Sequence, residues 1–153
     1  MIRPKKVGHV VLKARDLAPI EKFYTEVLGF EVVSRLKRPR GVFFSLGEQH
    51  HDLAVLEVSP DADAPKDDQV GLHHVALQVE SFEALKDCYR TLKSHDVPIV
   101  RAVDHGITKS IYFCDPAGNR LELYCDVGED GLAQIRRQSA LAMADFPPLN
   151  LEG

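Results

Sequence analysis

The pattern of this chain predicts an α+β protein assembled from two tandem βαβββ modules, on three observations. The segment VGHVVLKARDL, from Val7, returns as LHHVALQVESF, from Leu72. Laying His9 on His74 also lays Leu12 on Leu77 and Tyr24 on Tyr89, at a constant offset of 65 residues. After each copy the apolar spacing changes from two to the helical period and then back to short alternating runs. Between the halves lies SPDADAPKDDQ, residues 59–69, rich in proline and aspartate and without apolar period.

Each element follows in order. Strands are predicted at 9–14 and 74–79. Helices follow at 17–27, where Ile20, Phe23, Tyr24 and Val27 share a face and Gly29 supplies the stop, and at 82–94, where Phe82, Leu85, Tyr89 and Leu92 do the same. Three short strands complete each half, at 30–36, 41–46 and 53–58, then at 99–103, 110–114 and 120–125. The turn Asp115-Pro116-Ala117-Gly118-Asn119 has hairpin chemistry. One domain is therefore expected over 1–127, with module 1 at 5–58, a linker at 59–69 and module 2 at 70–127. A C-terminal helix and tail occupy 128–153, the helix at 131–144. The tail, ending FPPLNLEG, is read either as docking on a neighbouring subunit or as covering the site. Its Phe146, Leu149 and Leu151 would form an exposed apolar patch unless covered, and on that ground a homodimer or larger homo-oligomer is expected.

The 153 residues suit one compact domain or two small packed modules, and 44% hydrophobic with 27% charged residues is ordinary for a globular protein. A formal net charge of -4 offers no electrostatic case for nucleic acid or an anionic membrane, so neither is an expected partner. No apolar run approaches the roughly 18 residues of a membrane span. The opening MIRPKKVGHVVLKARDL has basic residues but no clean apolar stretch before a small-residue cleavage site. Three cysteines, Cys88, Cys114 and Cys125, with no CxxC pair, do not suggest a disulfide framework. A reduced, cytoplasmic protein is expected.

Strand alternation indicates which residues can share a face. Val10, Leu12 and Ala14 should pack on the helix, as should Val75, Leu77 and Val79, and Leu121, Leu123 and Cys125. His9, His74 and Glu122 then lie on the opposite, non-core face. Two imidazoles and one carboxylate with open positions are the ligand set of non-haem iron sites. On the strand pattern alone, three unrelated polar residues on a solvated face fit as well.

The residues around these positions carry a resemblance. His9 in GHVVL, the segment FYTEVLGF, His74 in GLHHVAL and Glu122 in DPAGNRLELY together resemble the vicinal oxygen chelate superfamily. That superfamily includes glyoxalase I, bleomycin- and fosfomycin-resistance proteins, epimerases and type I extradiol dioxygenases. The resemblance covers about residues 7–127. It implies paired modules forming a cup-shaped curved sheet around a metal, held here by His9, His74 and Glu122. Matching Phe44 with Tyr112 places Ala54 on Glu122. Glyoxalase I and the epimerases carry Glu or Gln at that fourth position, and Ala54 cannot ligate. Three protein ligands leave three positions on an octahedral ion, which suits a bidentate catecholate plus O₂. The chain is thus most like a single-domain extradiol dioxygenase, although many such enzymes carry an additional pair of modules. The resemblance implies Fe(II), with Mn(II) possible and Zn or Ni possible as purified, and an aromatic diol with O₂ as substrates.

The same resemblance assigns the outer residues. HHDLAVL is similar to the His-Asp-x-Ala signature and places the acid–base histidine at His51. DHGITKSIYF is similar to the stretch carrying a second histidine and a tyrosine, here His105 and Tyr112, although the loop between them is short for the pattern. A neutral histidine can take a phenolic proton near neutral pH, and a tyrosine hydroxyl can hold the deprotonated substrate oxygen.

Other readings stay open. Strict alternation from Ala54 turns His50 rather than His51 inward. Tyr112 also fits as strand filler, His73 as a core-side neighbour of His74, and His95 as a favourable charge at a helix C-terminus. Cys114 and Cys125 fit as buried small apolar groups. Two rivals to the dioxygenase remain: a glyoxalase-type metal-dependent lyase or isomerase, against which Ala54 argues, and a drug-sequestering binding protein, against which the retained triad argues.

Overall fold

In a computed structural model, residues 1–128, 131–137 and 146–152 are described. Among the described residues, eight strands and three α-helices run in the order β1 (Val10–Ala14), α1 (Leu17–Lys22), β2 (Glu31–Lys37), β3 (Arg40–Ser45), β4 (Leu53–Glu57), β5 (Val75–Gln78), α2 (Phe82–Ser94), β6 (Ile99–Asp104), β7 (Thr108–Cys114), β8 (Arg120–Asp126) and α3 (Gly131–Arg137). They make two four-stranded sheets, ordered β1-β4-β3-β2 and β5-β8-β7-β6. In each, the first strand runs parallel to the fourth and the remaining pairs are antiparallel. This is one βαβββ wiring written twice. The part of the expected C-terminal helix at 138–144 lies outside the described residues.

The chain divides into two compact units. The first is Met1–Gly71 together with Asp115–Asn119, and the second is Leu72–Cys114 with Arg120–Gly153. The DPAGN turn thus folds with the first unit although the chain reaches it from the second.

In the first unit, Asp16 caps α1 by accepting the Ala18 amide at 3.0 Å, and Pro19 is tolerated because it sits in the first turn. The helix continues as one wide π turn over Phe23–Val27, closed by the Leu28 amide donating to the Phe23 carbonyl at 3.3 Å. Gly29, at φ +73°, then lets the Phe30 amide reach the Tyr24 carbonyl at 2.9 Å. This brings Tyr24 into an aromatic core, stacked on Phe44 at 5.1 Å and edge-on to Phe30 at 5.6 Å. The Tyr24 hydroxyl, wholly buried, donates to Asp115 Oδ2 at 3.2 Å. Asp115 also accepts the Ala117 and Asn119 amides at 2.9 Å each and the Asn119 side chain at 2.8 Å. Burial pushes the Asp115 carboxyl up, and these donors pull it back only in part.

In the second unit, Ser81 caps α2 by accepting the Ala84 amide at 3.1 Å, and the helix buries Leu85 and Leu92. Opposite them Ile111, Phe113, Leu121 and Cys125 fill the core. Strand alternation holds where it matters: Leu121, Leu123 and Cys125 are buried, and Val75 and Leu77 are more covered than Ala76 and Gln78. Cys114 is only half-buried, unlike Cys125, so the expectation of two buried cysteines holds for one.

The C-terminal segment packs on its own unit. The Asp104 amide donates to the Pro147 carbonyl and the Leu149 amide to the Ala102 carbonyl, both at 3.1 Å, and Leu151 is 4% exposed. The apolar tail is therefore largely covered in place, which removes the reason drawn from it for expecting an oligomer.

Candidate metal-centred site

Two groups of polar side chains stand at equivalent places, one in each unit, and each is best described alone. In the first unit His9 directly precedes β1. The Val10 amide donates to the Asp52 carbonyl at 3.1 Å, which sets the start of β1 beside the start of β4. The loop leading to β4 is organised by Asp52. Its carboxylate accepts the Leu46 amide at 2.7 Å and the Gln49 side chain at 2.5 Å, while Ser45 Oγ donates to the Gln49 carbonyl at 2.7 Å. Burial raises the Asp52 pKa, but these hydrogen bonds outweigh it, and the net shift is downward. The result is a fixed platform for two adjacent histidines. His51 is half-buried, its ring 4.3 Å from that of His9 and 4.9 Å from that of Phe43. His50 is exposed and lies farther from His9, at 6.4 Å. The Nδ1 atoms of His50 and His51 are 2.5 Å apart, so one of them carries the proton between them. Burial first, and then the neighbouring His9 and His50, lower the His51 pKa and keep the imidazole neutral.

In the second unit His74 directly precedes β5 and its Nε2 lies 2.9 Å from Glu122 Oε2. The Tyr112 hydroxyl donates to Glu122 Oε1 at 2.9 Å, and His105 Nε2 is 3.0 Å from the Tyr112 oxygen. Because that hydroxyl spends its proton on Glu122, His105 Nε2 is the donor to it, which fixes the tautomer. The Tyr112 pKa is pushed up to about 12, first by burial and then by the bond to Glu122. Burial lowers the His105 pKa, so its imidazole is neutral near pH 7.

Glu122 is 7% exposed, and its bonded partners are an imidazole and a phenol, neither a fixed cation. A buried carboxylate without a positive partner is costly, and a bound cation relieves it. Two donors about 2.1 Å from one ion and at right angles to each other are about 3 Å apart, so the His74–Glu122 spacing fits a divalent ion. Among the described residues, no group of three or more His, Cys, Asp or Glu is arranged to hold a metal ion.

Strand register decides the equivalence between the halves. Ala54 lies opposite Val11 and Glu122 opposite Ala76, and Val11 and Ala76 are themselves related by the 65-residue offset of the histidines. Ala54, 1% exposed, therefore stands where Glu122 stands. The partner of Ala54 in β3 is Phe43, and the partner of Glu122 in β7 is Tyr112. The counterpart of Tyr112 is thus Phe43, not Phe44, because the paired residues Phe43 and Ala54 are one position farther apart along the chain than Tyr112 and Glu122. Sequence spacing missed Phe43 for that reason. His73 is exposed rather than core-side, with its Nδ1 2.6 Å from His74 Nδ1 and its Nε2 3.3 Å from Arg120. His95 caps the C-terminus of α2.

Residues 6–123 match the family model described as the Glyoxalase/Bleomycin resistance protein/Dioxygenase superfamily. The chain belongs to this superfamily. Among curated members, biphenyl-2,3-diol 1,2-dioxygenase 2 of Rhodococcus globerulus is 32% identical over 127 residues, which are 82% of this chain and 65% of that protein. The chain thus spans about 65% of that relative's length. The metallothiol transferase FosB of Staphylococcus haemolyticus is 26% identical over 86% of this chain and 91% of its own. A glyoxylase/bleomycin resistance protein/dioxygenase domain from Frankia sp. EAN1pec superposes with a TM-score of 0.74 at 21% identity, covering 82% of this chain and all of that one, which bears on the fold alone. Among the described residues no helix is long and apolar enough to cross a membrane.

Proposed function

We propose that this member of the superfamily is a metal-dependent extradiol dioxygenase that opens the ring of a catechol-type diol with O₂. His9, His74 and Glu122 would hold one divalent ion, Fe(II) before Mn(II). The observation that carries the reading is the hydrogen-bonded array His105–Tyr112–Glu122–His74, with Ala54 at the position equivalent to Glu122. One carboxylate in two halves leaves room on an ion for two substrate oxygens and O₂. When bound, the ion would lower the pKa of the diol and bring it together with O₂. The chain's own groups do the rest. Neutral His51 accepts a phenolic proton as general base and returns it as general acid. With Glu122 turned to the ion, the Tyr112 hydroxyl would redirect its hydrogen bond from Glu122 to the deprotonated substrate oxygen. The His105 Nε2–H donates to the Tyr112 oxygen and so orients that hydroxyl toward the substrate. The likeness to a biphenyl-2,3-diol 1,2-dioxygenase supports this choice of reaction.

The near full-length match to a metallothiol transferase favours a second reading, metal-dependent transfer or lysis on a non-aromatic substrate. Protein loaded with Fe(II) under anaerobic conditions is mixed with a panel of catechols and then given O₂. A yellow ring-fission product that requires both iron and O₂ is expected. Metal-dependent consumption of a thiol substrate with no catechol turnover would move the assignment to the second reading. Ligand retention that ignores metal removal would make this a binding protein.

A further inference from the structure

His105 is held from two sides. On the polar side its Nε2 meets Tyr112, as described. On the apolar side Phe146 sets its ring edge-on to the imidazole, with centroids 4.6 Å apart and planes at 84°. Phe146 lies in the segment that runs along the outer edge of β6. There Val103 pairs with Pro148 in an antiparallel bridge, flanked by the Asp104–Pro147 and Leu149–Ala102 bonds. Pro147 accepts from β6 through its carbonyl, and Pro148, opposite Val103, has no amide hydrogen to offer outward, the usual place for proline at a sheet edge. Beyond them Leu151 is buried, and the Tyr89 hydroxyl donates to Glu152 at 3.4 Å. The segment is therefore tied down on the far side of Phe146. His105 itself sits in the β6–β7 turn, where its amide donates to the Thr108 carbonyl at 2.8 Å and Asp104 accepts the Gly106 amide at 2.8 Å. These bonds fix the backbone but leave the imidazole free to rotate about χ1 and χ2.

We infer that Phe146 is a positioning residue for His105: the C-terminal segment, clamped to β6, closes the rotamers that would take Nε2 away from Tyr112. A hydrogen bond at one nitrogen fixes a distance, and an aromatic wall on the ring fixes its orientation. The same wall keeps water off the imidazole, in line with its lowered pKa. Only the kinetic consequence rests on the dioxygenase reading.

The test compares Phe146→Ala, Phe146→Tyr and Phe146→Leu with the parent protein. Two-dimensional NMR of the imidazole ¹⁵N and ¹H nuclei in metal-free protein should show His105 as a single Nε2–H tautomer in the parent and in Phe146→Tyr, and as a mixture of tautomers in the Ala and Leu variants, a ¹⁵N change far larger than the loss of the phenyl ring current can produce. The Leu variant keeps the apolar volume and serves if the Ala variant does not fold. In turnover of a diol, Phe146→Ala should lower kcat by about 10–100-fold at unchanged metal content, with KM within about twofold. In a His105→Ala background the same substitution should cost almost nothing further. A single Nε2–H tautomer of His105 retained in the Ala and Leu variants, or a kcat loss that repeats in full without His105, would overturn the proposal. If the parent protein turns over no diol, the dioxygenase reading falls while the NMR comparison still decides the role of Phe146.

Discussion

The two halves share strand order, parallel and antiparallel pairing and a 65-residue offset, yet they differ at the register positions that face chemistry. Where the second half has Glu122 and Tyr112, the first has Ala54 and Phe43. Where the second half brings His105 to Tyr112 from the β6–β7 turn, the first brings His51 to Phe43 from the loop before β4. The edges differ too. The outer edge of β6 is covered by the C-terminal segment, whereas β2 has no further strand beside it among the described residues. A repeated scaffold thus carries a polar array in one copy and an aromatic and imidazole surface in the other. The backbone hydrogen bonds depend little on which side chain sits at each register position, so such divergence costs the fold little.

The harshest break of this asymmetry is Glu122→Ala, which makes the second half like the first. Metal affinity should fall by more than the roughly 10–100-fold that losing an outer partner costs, and metal-dependent turnover should vanish; equilibrium dialysis and product formation read both. Next is His51→Phe, which should keep the metal and cut turnover by about 10²–10⁴, the usual share of acid–base catalysis. If His50→Phe inactivates instead, alternation from Ala54 is the better guide to the first half. Tyr112→Phe copies Phe43 into the second half. It removes one donor from a buried carboxylate and should lower kcat by about 10–100-fold, while Phe43→Tyr should leave kcat within about twofold.

Two smaller effects concern the scaffold. Tyr24→Phe deletes the buried hydroxyl bonded to Asp115 and should lower unfolding free energy by about 1–3 kcal/mol in a urea melt. Asp104 holds the β6–β7 turn. Its pKa is lowered chiefly by the hydrogen bond from Lys109, with a further bond from the Gly106 amide. A depressed carboxyl contributes stability that is fully present above its unfolded pKa, about 3.9, and is lost as pH falls through the lower folded value. Asp104→Asn should therefore flatten the dependence of Tm on pH below about pH 4 and leave it unchanged above. An unaltered acid limb would remove Asp104 as the anchor of the turn that carries His105.

Much of the architecture was legible in the residues. The 65-residue repeat and the switch between apolar periods gave both modules, and Phe82–Ser94 matches the predicted helix end to end. The first helix was harder, because its C-terminal turn widens to a π turn, which no apolar spacing encodes. At the site, alternation puts His9, His74 and Glu122 on the non-core face, and of these His74 and Glu122 lie 2.9 Å apart in the second unit.

What the sequence by itself determined is the set of patterns repeated along one strand or helix: the modules, the core faces and the candidate ligands at equivalent positions. These are local, since each follows from side-chain periodicity over a few residues. Tertiary structure decided the rest. The one-residue difference between the Phe43–Ala54 and Tyr112–Glu122 separations is a matter of register, and pairing across strands is a non-local choice that spacing along one strand cannot reveal. The DPAGN turn joins the first unit because Asp115 finds the Tyr24 hydroxyl 91 positions away. Phe146 meets His105 because the open edge of β6 leaves amides and carbonyls that need partners, and the C-terminal segment supplies them.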